Sequence, residues 1–423
     1  MNKYDVIVVG AGTSGLMAAV NASQQGARVL ILEKNKVPGR KLLLSGGGRC
    51  NVTNRTSRDQ LIAHIPGNGK FLYSALNQFD QEDIIQFFQD NGVELKEEDH
   101  GRMFPTTDKA RTILDTLLQL LEDREVTIQY SQPVQSLLFE EDQAQIKGVK
   151  CQDGQVYQAA SVVLAVGGKT YPRTGATGDG YAWAKTAGHT VTWLYPTEVP
   201  LLSHDPEITN NSLKGVSLRD VKVSFWDQVN HKKRPITSHQ MDMIVTHFGY
   251  SGPAILRCSG HVNQWLKDHP GETAHLSIDL TPDLSTDDLA HFCQEFRERQ
   301  VITLLKEWMP ERMGLALCNR LKLDPTIAYK QLDHQEAKDL VSLIKDYPIT
   351  AYGSQAIDKG FVTGGGVDVK EIDPKTMASK LINGLYFCGE LLDINGYTGG
   401  YNITAAFVTG TLAGRYAAWQ SFS

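Results

Sequence analysis

Apolar positions near the start of the chain fall into two short runs separated by a helix-like stretch. Tyr4-Asp5-Val6-Ile7-Val8-Val9 is nearly unbroken and stops at Gly10. Leu16, Ala18, Ala19, Val20 and Ala22 then keep helical spacing as far as Gly26, and Val29-Leu30-Ile31-Leu32 runs into Glu33-Lys34. Short continuous runs mark strands buried on both faces, so the segment predicts strand, turn, helix, strand. Over 59–125, Leu76, Phe79, Ile84, Ile85, Phe87 and Phe88 keep the spacing of ordinary amphipathic helices. Strands are predicted at 126–130 and 134–137, a hairpin at 146–149 and Val156, and a buried strand at 161–166 that ends on Gly167-Gly168. From 191 to about 280 the pattern shortens to alternation, as at Val221, Val223 and Phe225, which predicts a β-barrel-like insert. Leu289, Phe292, Phe296, Leu304, Leu305 and Trp308 then predict a helical cap. A strand before Gly389 and a helix from about Asn402 return to the opening style. The expected class is α/β, with one discontinuous domain (1–190 and 351–423), an insert (191–285) and a helical subdomain (286–350).

Three glycines give the opening unit its chemistry. In G-x-G-x-x-G, Gly10 makes the sharp turn, Gly12 lets a pyrophosphate approach, and Gly15 lets helix and strand pack closely. The helix then starts at Thr13-Ser14, offering unpaired N–H groups and a partial positive charge to the diphosphate. Glu33, about 20 residues on, sits where an acid accepts hydrogen bonds from a ribose hydroxyl. A glycine-rich turn of some other α/β unit would leave Glu33 unexplained. Gly46-Gly47-Gly48, between Lys41 and Arg49, is a second expensive glycine stretch of the kind a ligand requires. Lys41 and Arg49 are expected to face phosphates or a ring carbonyl, while Ser45 and Asn51 supply neutral hydrogen bonds.

Composition narrows the field. The 423 residues are 41% hydrophobic, enough for a sizeable core in two or three domains. A net charge of −6 argues against a broad nucleic-acid surface, and the basic run His231-Lys232-Lys233-Arg234 reads as a solvated hairpin tip. Cys50, Cys151, Cys258, Cys293, Cys318 and Cys388 form no C-x-x-C pair, which predicts no metal site and a reducing, cytoplasmic setting. No apolar stretch reaches the ~18 residues of a membrane span, so no membrane partner is expected.

The glycine unit together with Gly39-Arg40-Lys41-Leu42-Leu43-Leu44-Ser45-Gly46-Gly47-Gly48-Arg49-Cys50-Asn51-Val52-Thr53-Asn54 resembles the HI0933-like (BaiN-like) family of flavoproteins. The resemblance covers nearly the whole chain. It includes His100-Gly101-Arg102-Met103-Phe104-Pro105, Thr246-His247-Phe248-Gly249-Tyr250-Ser251-Gly252-Pro253-Ala254, Val362-Thr363-Gly364-Gly365-Gly366-Val367 and Gly396-Tyr397-Thr398-Gly399-Gly400-Tyr401-Asn402. It implies a Rossmann-like, glutathione-reductase-type FAD-binding domain, with FAD in the first site and Gly46-Gly47 along the flavin ring. It also implies adenine contact at Val134, close passage of Ala165-Val166-Gly167 by the cofactor, Gly389-Glu390 at the ribityl chain, and backbone contact from Asn402 and Ile403. Lys34 joins Glu33 in that cofactor set. Val166 replaces a Thr and Asn395 an Asp of the family pattern.

Catalytic residues stay open. His247 is a candidate base or a structural histidine, and Arg102 either reaches the site or pairs with Glu97 or Asp99. Cys50 stands alone, so a disulfide reductase is excluded, and a second nicotinamide fingerprint is absent. The expectation is an FAD-dependent oxidoreductase moving hydride through flavin N5 to or from a small organic substrate, with NAD(P)H as a transient donor. An oxygen-using amine oxidase and an RNA-modifying flavoprotein are the alternatives.

Overall fold

Seven strands form the sheet that carries the predicted dinucleotide site. Its order is Thr127–Gln129, β2 (Val29–Leu32), β1 (Lys3–Val9), Val156–Leu164, Ile146–Cys151 and Val134–Phe139, with Leu385–Phe387 pairing the far half of Val156–Leu164. β1 runs parallel to β2 and to Val156–Leu164, aligning Val8 with Ile31 and Val163. The last three strands form an antiparallel meander. Val6, Ile7, Val8, Leu30, Ile31, Val162, Val163 and Leu385 are fully buried, as strands covered on both faces require.

Helix α1 (Thr13–Gln24) connects β1 to β2 and ends two residues before Gly26, whose φ of +88° closes it in the left-handed region. The Tyr401–Ser421 helix lies along α1, and two small residues set the distance. A Cβ on Gly410 would stand 2.4 Å from the Ser14 carbonyl oxygen, and one on Gly414 2.0 Å from that of Ala18. Backbone meets backbone here. A three-stranded antiparallel sheet (Thr53–Asn54, Arg102–Pro105, Leu95–Glu98) adds a platform beside the glycine-rich loop.

The computed structural model describes residues 3–141, 144–227 and 234–422. Residues 231–233 of the basic run lie outside them. The chain divides into two compact units, Met1–Tyr195 with Val362–Ser423, and Pro196–Phe361. The second has its own core and a seven-stranded sheet ordered Tyr347–Ala351, Ala274–Asp279, Ser217–Trp226, Thr237–Val245, Gly249–Ser251, Leu201–Leu202, Gly353–Ser354. The sequence puts the return to the first domain at residue 351. In the structure Ala351 pairs with Ala274, and the chain passes through Tyr352 into another strand of the same sheet, so 351–361 stay with the second unit.

The alternation rule missed one helix. Pro253–Asp268 follows Gly252 (φ +91°), Pro253 takes a first-turn position where no N–H is needed, and Ile255, Cys258, Val262 and Trp265 are buried at helical spacing. Helices Thr286–Glu295, Val301–Leu305, Glu311–Leu321 and His334–Lys345 occupy the stretch expected to be helical. Among the described residues no helix is long and apolar enough to cross a membrane.

Candidate functional site

The turn between β1 and α1 is built by exclusion. Gly10 (φ +102°) has no room for a Cβ, which would sit 2.6 Å from the Ala165 carbonyl oxygen, and a Cβ on Gly15 would stand 1.9 Å from that of Gly10. Gly12 differs: its φ of −85° suits any residue, and a Cβ there meets nothing within 4 Å. The space in front of Gly12 lies outside the protein. α1 has no side-chain cap, so its first N–H groups face that space with the positive end of the helix dipole behind them. Glu33 is buried beside the turn, where Oε2 accepts the Ala11 N–H (2.7 Å) and Oε1 accepts the backbone and side-chain N–H groups of Asn35 (2.8 and 2.6 Å). The carboxylate is thereby fixed, and its remaining lone pairs suit a ribose diol. Lys34 pairs with Asp179 (2.6 Å), which positions it on the protein rather than on a phosphate.

A second glycine strip is exposed, although a Cβ on Gly46 would stand 2.8 Å from the Asn51 N. Gly46, Gly47 and Gly48 have φ of +55°, +68° and +89°, all left-handed and all exposed, so other residue types are strained there. Three loops converge beside the strip. Asn54 Nδ2 donates to the carbonyls of His100 (2.9 Å) and Gly399 (3.1 Å), and a Cβ on Gly400 would come within 3.1 Å of Asn51 Oδ1. The Tyr401–Ser421 helix begins immediately after Gly400 (φ +99°). The Asn402 side chain staples the approach, bonding the N–H and C=O of Gly396 (2.8 Å each) and the Tyr397 carbonyl (3.2 Å). Its backbone N–H and that of Ile403 belong to the first turn, which has no intrahelical acceptors.

Two buried side-chain oxygens beside the strip, Asn51 Oδ1 and Asn54 Oδ1, are left without a partner. Asn51 is 6% exposed, and its Oδ1 has no hydrogen-bond partner. An unmet buried acceptor costs about 1–3 kcal/mol. A ligand that brings an N–H to Asn51 and an electron-rich carbonyl to the helix end would satisfy that amide and the helix, and the pyrimidine edge of a flavin has that donor and acceptor set. The residues present fit FAD.

The structure places the other predicted residues less uniformly. Gly389 (φ +67°) faces Ser14, whose Oγ would lie 2.4 Å from a Cβ, and its N–H donates to Thr409 Oγ1 (2.9 Å). Ala165 donates to the Val9 carbonyl (2.9 Å), the Val166 side chain packs on Gly180, and Gly167 has φ +73°. Val134 pairs with Cys151 in the meander. Glu390 accepts from Thr170 Oγ1 (3.0 Å), the Thr363 N–H (2.8 Å) and Lys41 Nζ (2.6 Å). Lys41 is thus neutralised by a carboxylate instead of facing phosphates. Arg49 likewise turns to Glu98 (2.8 and 3.1 Å) and Asp108 (3.2 Å), its guanidinium 4.1 Å from the Phe104 ring centroid. The Arg49 hydrogen bonds hold the Glu98 carboxyl below its usual range. Ser45 Oγ bonds the Leu42 carbonyl (2.6 Å).

Arg102 is half-buried, donates from Nε to the Asp99 carbonyl (3.0 Å), and enters none of the ion pairs among the described residues. His247 lies in the other unit, exposed on a turn and edge-on to Phe248 (4.9 Å). Sequence reasoning missed Thr170 and Thr363, both fully buried around Glu390, and Asn54; Thr363 and Asn54 sat in motifs, and Thr170 did not. All six cysteines are free and buried, and burial pushes the Cys50 thiol up to about 12, so no dithiol serves this site. Among the described residues no group of three His, Cys, Asp or Glu could hold a metal ion.

Residues 4–416 match the family model described as the HI0933-like protein Rossmann domain. The chain belongs to the HI0933-like family. It is an FAD-dependent oxidoreductase of that family, with a Rossmann-type α/β FAD-binding fold. The ribosomal RNA dihydrouridine synthase of Escherichia coli (strain K12) is 32% identical over 411 residues, 96% of this chain and 96% of that protein. The 3-dehydro-bile acid delta(4,6)-reductase of Clostridium scindens is 29% identical over 99% of both. Among solved structures, the 3-ketosteroid delta1-dehydrogenase of Sterolibacterium denitrificans superposes with a TM-score of 0.55 at 16% identity, over 99% of this chain and all of that one, a likeness of fold alone.

Proposed function

We propose that this HI0933-like protein reduces a carbon–carbon double bond conjugated to a carbonyl, drawing its electrons from NAD(P)H. The observation that carries the cofactor half is the unpartnered Asn51 carbonyl between an open glycine strip and a helix N-terminus. The substrate half is supported by chemistry common to two full-length relatives. Uridine presents C5=C6 conjugated to the C4 carbonyl, and a 3-dehydro steroid with a Δ4,6 system presents an extended enone. In both, hydride adds at the carbon remote from the carbonyl, and a proton is taken up at the adjacent carbon.

Bound FAD supplies hydride exchange at N5. Toward it, Gly12 and the first turn of α1 hold the diphosphate, Glu33 holds the ribose, and Lys34 orients the neighbouring loop. Glu390, fixed by Lys41, Thr170 and Thr363, binds the ribityl hydroxyls. Ala165, Val166, Gly167 and Gly389 line the approach, and Val134 serves the adenine. The N–H groups of Asn402 and Ile403 favour negative charge on the pyrimidine edge. Arg102, a cation without an ion-pair partner among the described residues, is assigned to polarise the substrate carbonyl. We also read the sheet of Pro196–Phe361 as a barrel-like insert with a helical cap. Its two end strands are separated in the chain by Tyr352 alone, which supports that reading.

A second reading of the substrate is favoured by the 32% relative: a uridine within RNA. The test for both is anaerobic. The yellow holoprotein is mixed with NADH or NADPH until its visible band bleaches, then given 2-cyclohexenone or a uridine-containing RNA. Recovery of colour with one acceptor identifies the substrate class. Bleaching by small amines but not by nicotinamides would refute the reductase reading in favour of an oxidase.

A further inference from the structure

In the second unit, Leu201–Leu202 lies between Gly249–Ser251 and Gly353–Ser354, antiparallel to both. Leu202 is opposite Gly249 and Gly353, so the residues after Leu202 and those before Gly249 and Gly353 gather at one end of the sheet. The pairing continues past the strands: Ser203 N–H donates to the Phe248 carbonyl (3.1 Å) and Tyr352 N–H to that of Leu202 (3.1 Å). Four rings result. His204 stacks on Tyr352 with centroids 4.1 Å apart and planes 11° from parallel, and His247, which this register sets across from His204, meets Phe248 edge-on. His204, His247 and Tyr352 are exposed, Tyr352 by 45%.

A buried carboxylate braces this arrangement. Asp205, 8% exposed, accepts from the Tyr250 hydroxyl (2.7 Å), the Thr350 N–H (2.8 Å) and Thr350 Oγ1 (2.5 Å), pinning the segment under His204 to the segment under Tyr352. Exposed rings held parallel by a buried, fully bonded carboxylate are pre-organised for a third ring. Their edges are imidazole and phenol, so the face offers stacking with hydrogen bonding and little aliphatic area for a protein partner.

We propose that this end of the second unit stacks an unpaired base of a single RNA strand, a proposal that rests on the RNA reading above. The net charge of −6 selects an unpaired base over a duplex backbone, because phosphate attraction cannot carry the binding. Stacking can, at about 1–3 kcal/mol per base, and it is tolerant of base identity.

The test uses the holoprotein and a short fluorescein-labelled single-stranded oligouridylate, read by anisotropy at low and high salt. Tyr352→Ala and His204→Ala should each weaken binding on the order of tenfold, with the same ratio at both salt concentrations, while Tyr352→Phe stays within about twofold. FAD content and bleaching by NADPH report that the variants remain folded. Wild-type affinity in both alanine variants, with uridine in RNA still reduced, overturns the platform and leaves the RNA reading standing. A wild-type protein that neither binds the oligomer nor reduces uridine in RNA, yet reduces 2-cyclohexenone, removes both.

Discussion

Replacing Gly12 with alanine separates cofactor binding from folding. The backbone at Gly12 (φ −85°, ψ −174°) is open to alanine, and the added methyl meets no protein atom within 4 Å. The apoprotein should therefore lose no more than about 1 kcal/mol, the ordinary penalty of alanine at a helix N-cap. The methyl occupies the space proposed for the pyrophosphate. Pushing the phosphates off the first turn forfeits at least one charge-assisted hydrogen bond, about 1.5–3 kcal/mol, and part of a dipole interaction of about 0.3–2 kcal/mol. A total of roughly 2–4 kcal/mol corresponds to FAD binding weakened roughly 30- to 1,000-fold. Thermal unfolding of the apoprotein and titration of FAD by flavin fluorescence read the two effects apart. Gly15→Ala is the contrast, since its Cβ would lie 1.9 Å from the Gly10 carbonyl oxygen and should prevent folding. FAD uptake by Gly12→Ala at wild-type affinity would refute the placement of the diphosphate.

Asn51→Ala removes a buried acceptor that no protein group uses, so the apoprotein should be at least as stable as wild type, gaining up to about 1–3 kcal/mol, while FAD affinity drops about two- to tenfold; a destabilised apoprotein with unchanged affinity would mean the amide is structural. His189 gives a pH dependence. Burial lowers its pKa, against the pull of Glu371. The folded value then lies below the ~6.5 of an unfolded chain, so the unfolded state gains a proton first as pH falls, and stability present above that range is lost on acidification. His189→Gln should flatten the acid limb of a denaturant-midpoint profile between about pH 5 and 7, and an unaltered limb would assign the acid sensitivity elsewhere.

Much of the dinucleotide half was legible because its signals are local. Gly10, Gly12, Gly15 and Glu33 sit within one strand–helix–strand unit, where spacing alone dictates geometry. Charge partners were not legible. Lys41 and Arg49 look like anion ligands in sequence, yet they meet Glu390, 349 residues away, and Glu98, 49 residues away. Nothing in the local pattern announces such pairings. The helix Pro253–Asp268 was hidden for another reason: its Gly252-Pro253 start is also a turn signature, and its mixed polarity blurs the helical period. Asn51 was expected to offer a hydrogen bond, but that its oxygen is buried and unmet needed coordinates.

The glycine seam between α1 and the Tyr401–Ser421 helix also sets a schedule for biosynthesis. Between Gln24 and Tyr401 the ribosome must add 376 residues. At ~5–20 residues per second this takes roughly 20–75 s. Throughout that interval α1 has been made but its seam partner has not, so the face carrying Ser14 and Ala18 stays open to water and to chaperones. On the proposed placement of the flavin, a nascent chain lacks part of the cofactor site during this time, because the helix end beside Asn51 does not yet exist. Cofactor loading is therefore a late event, and chains stalled within the second unit should emerge colourless.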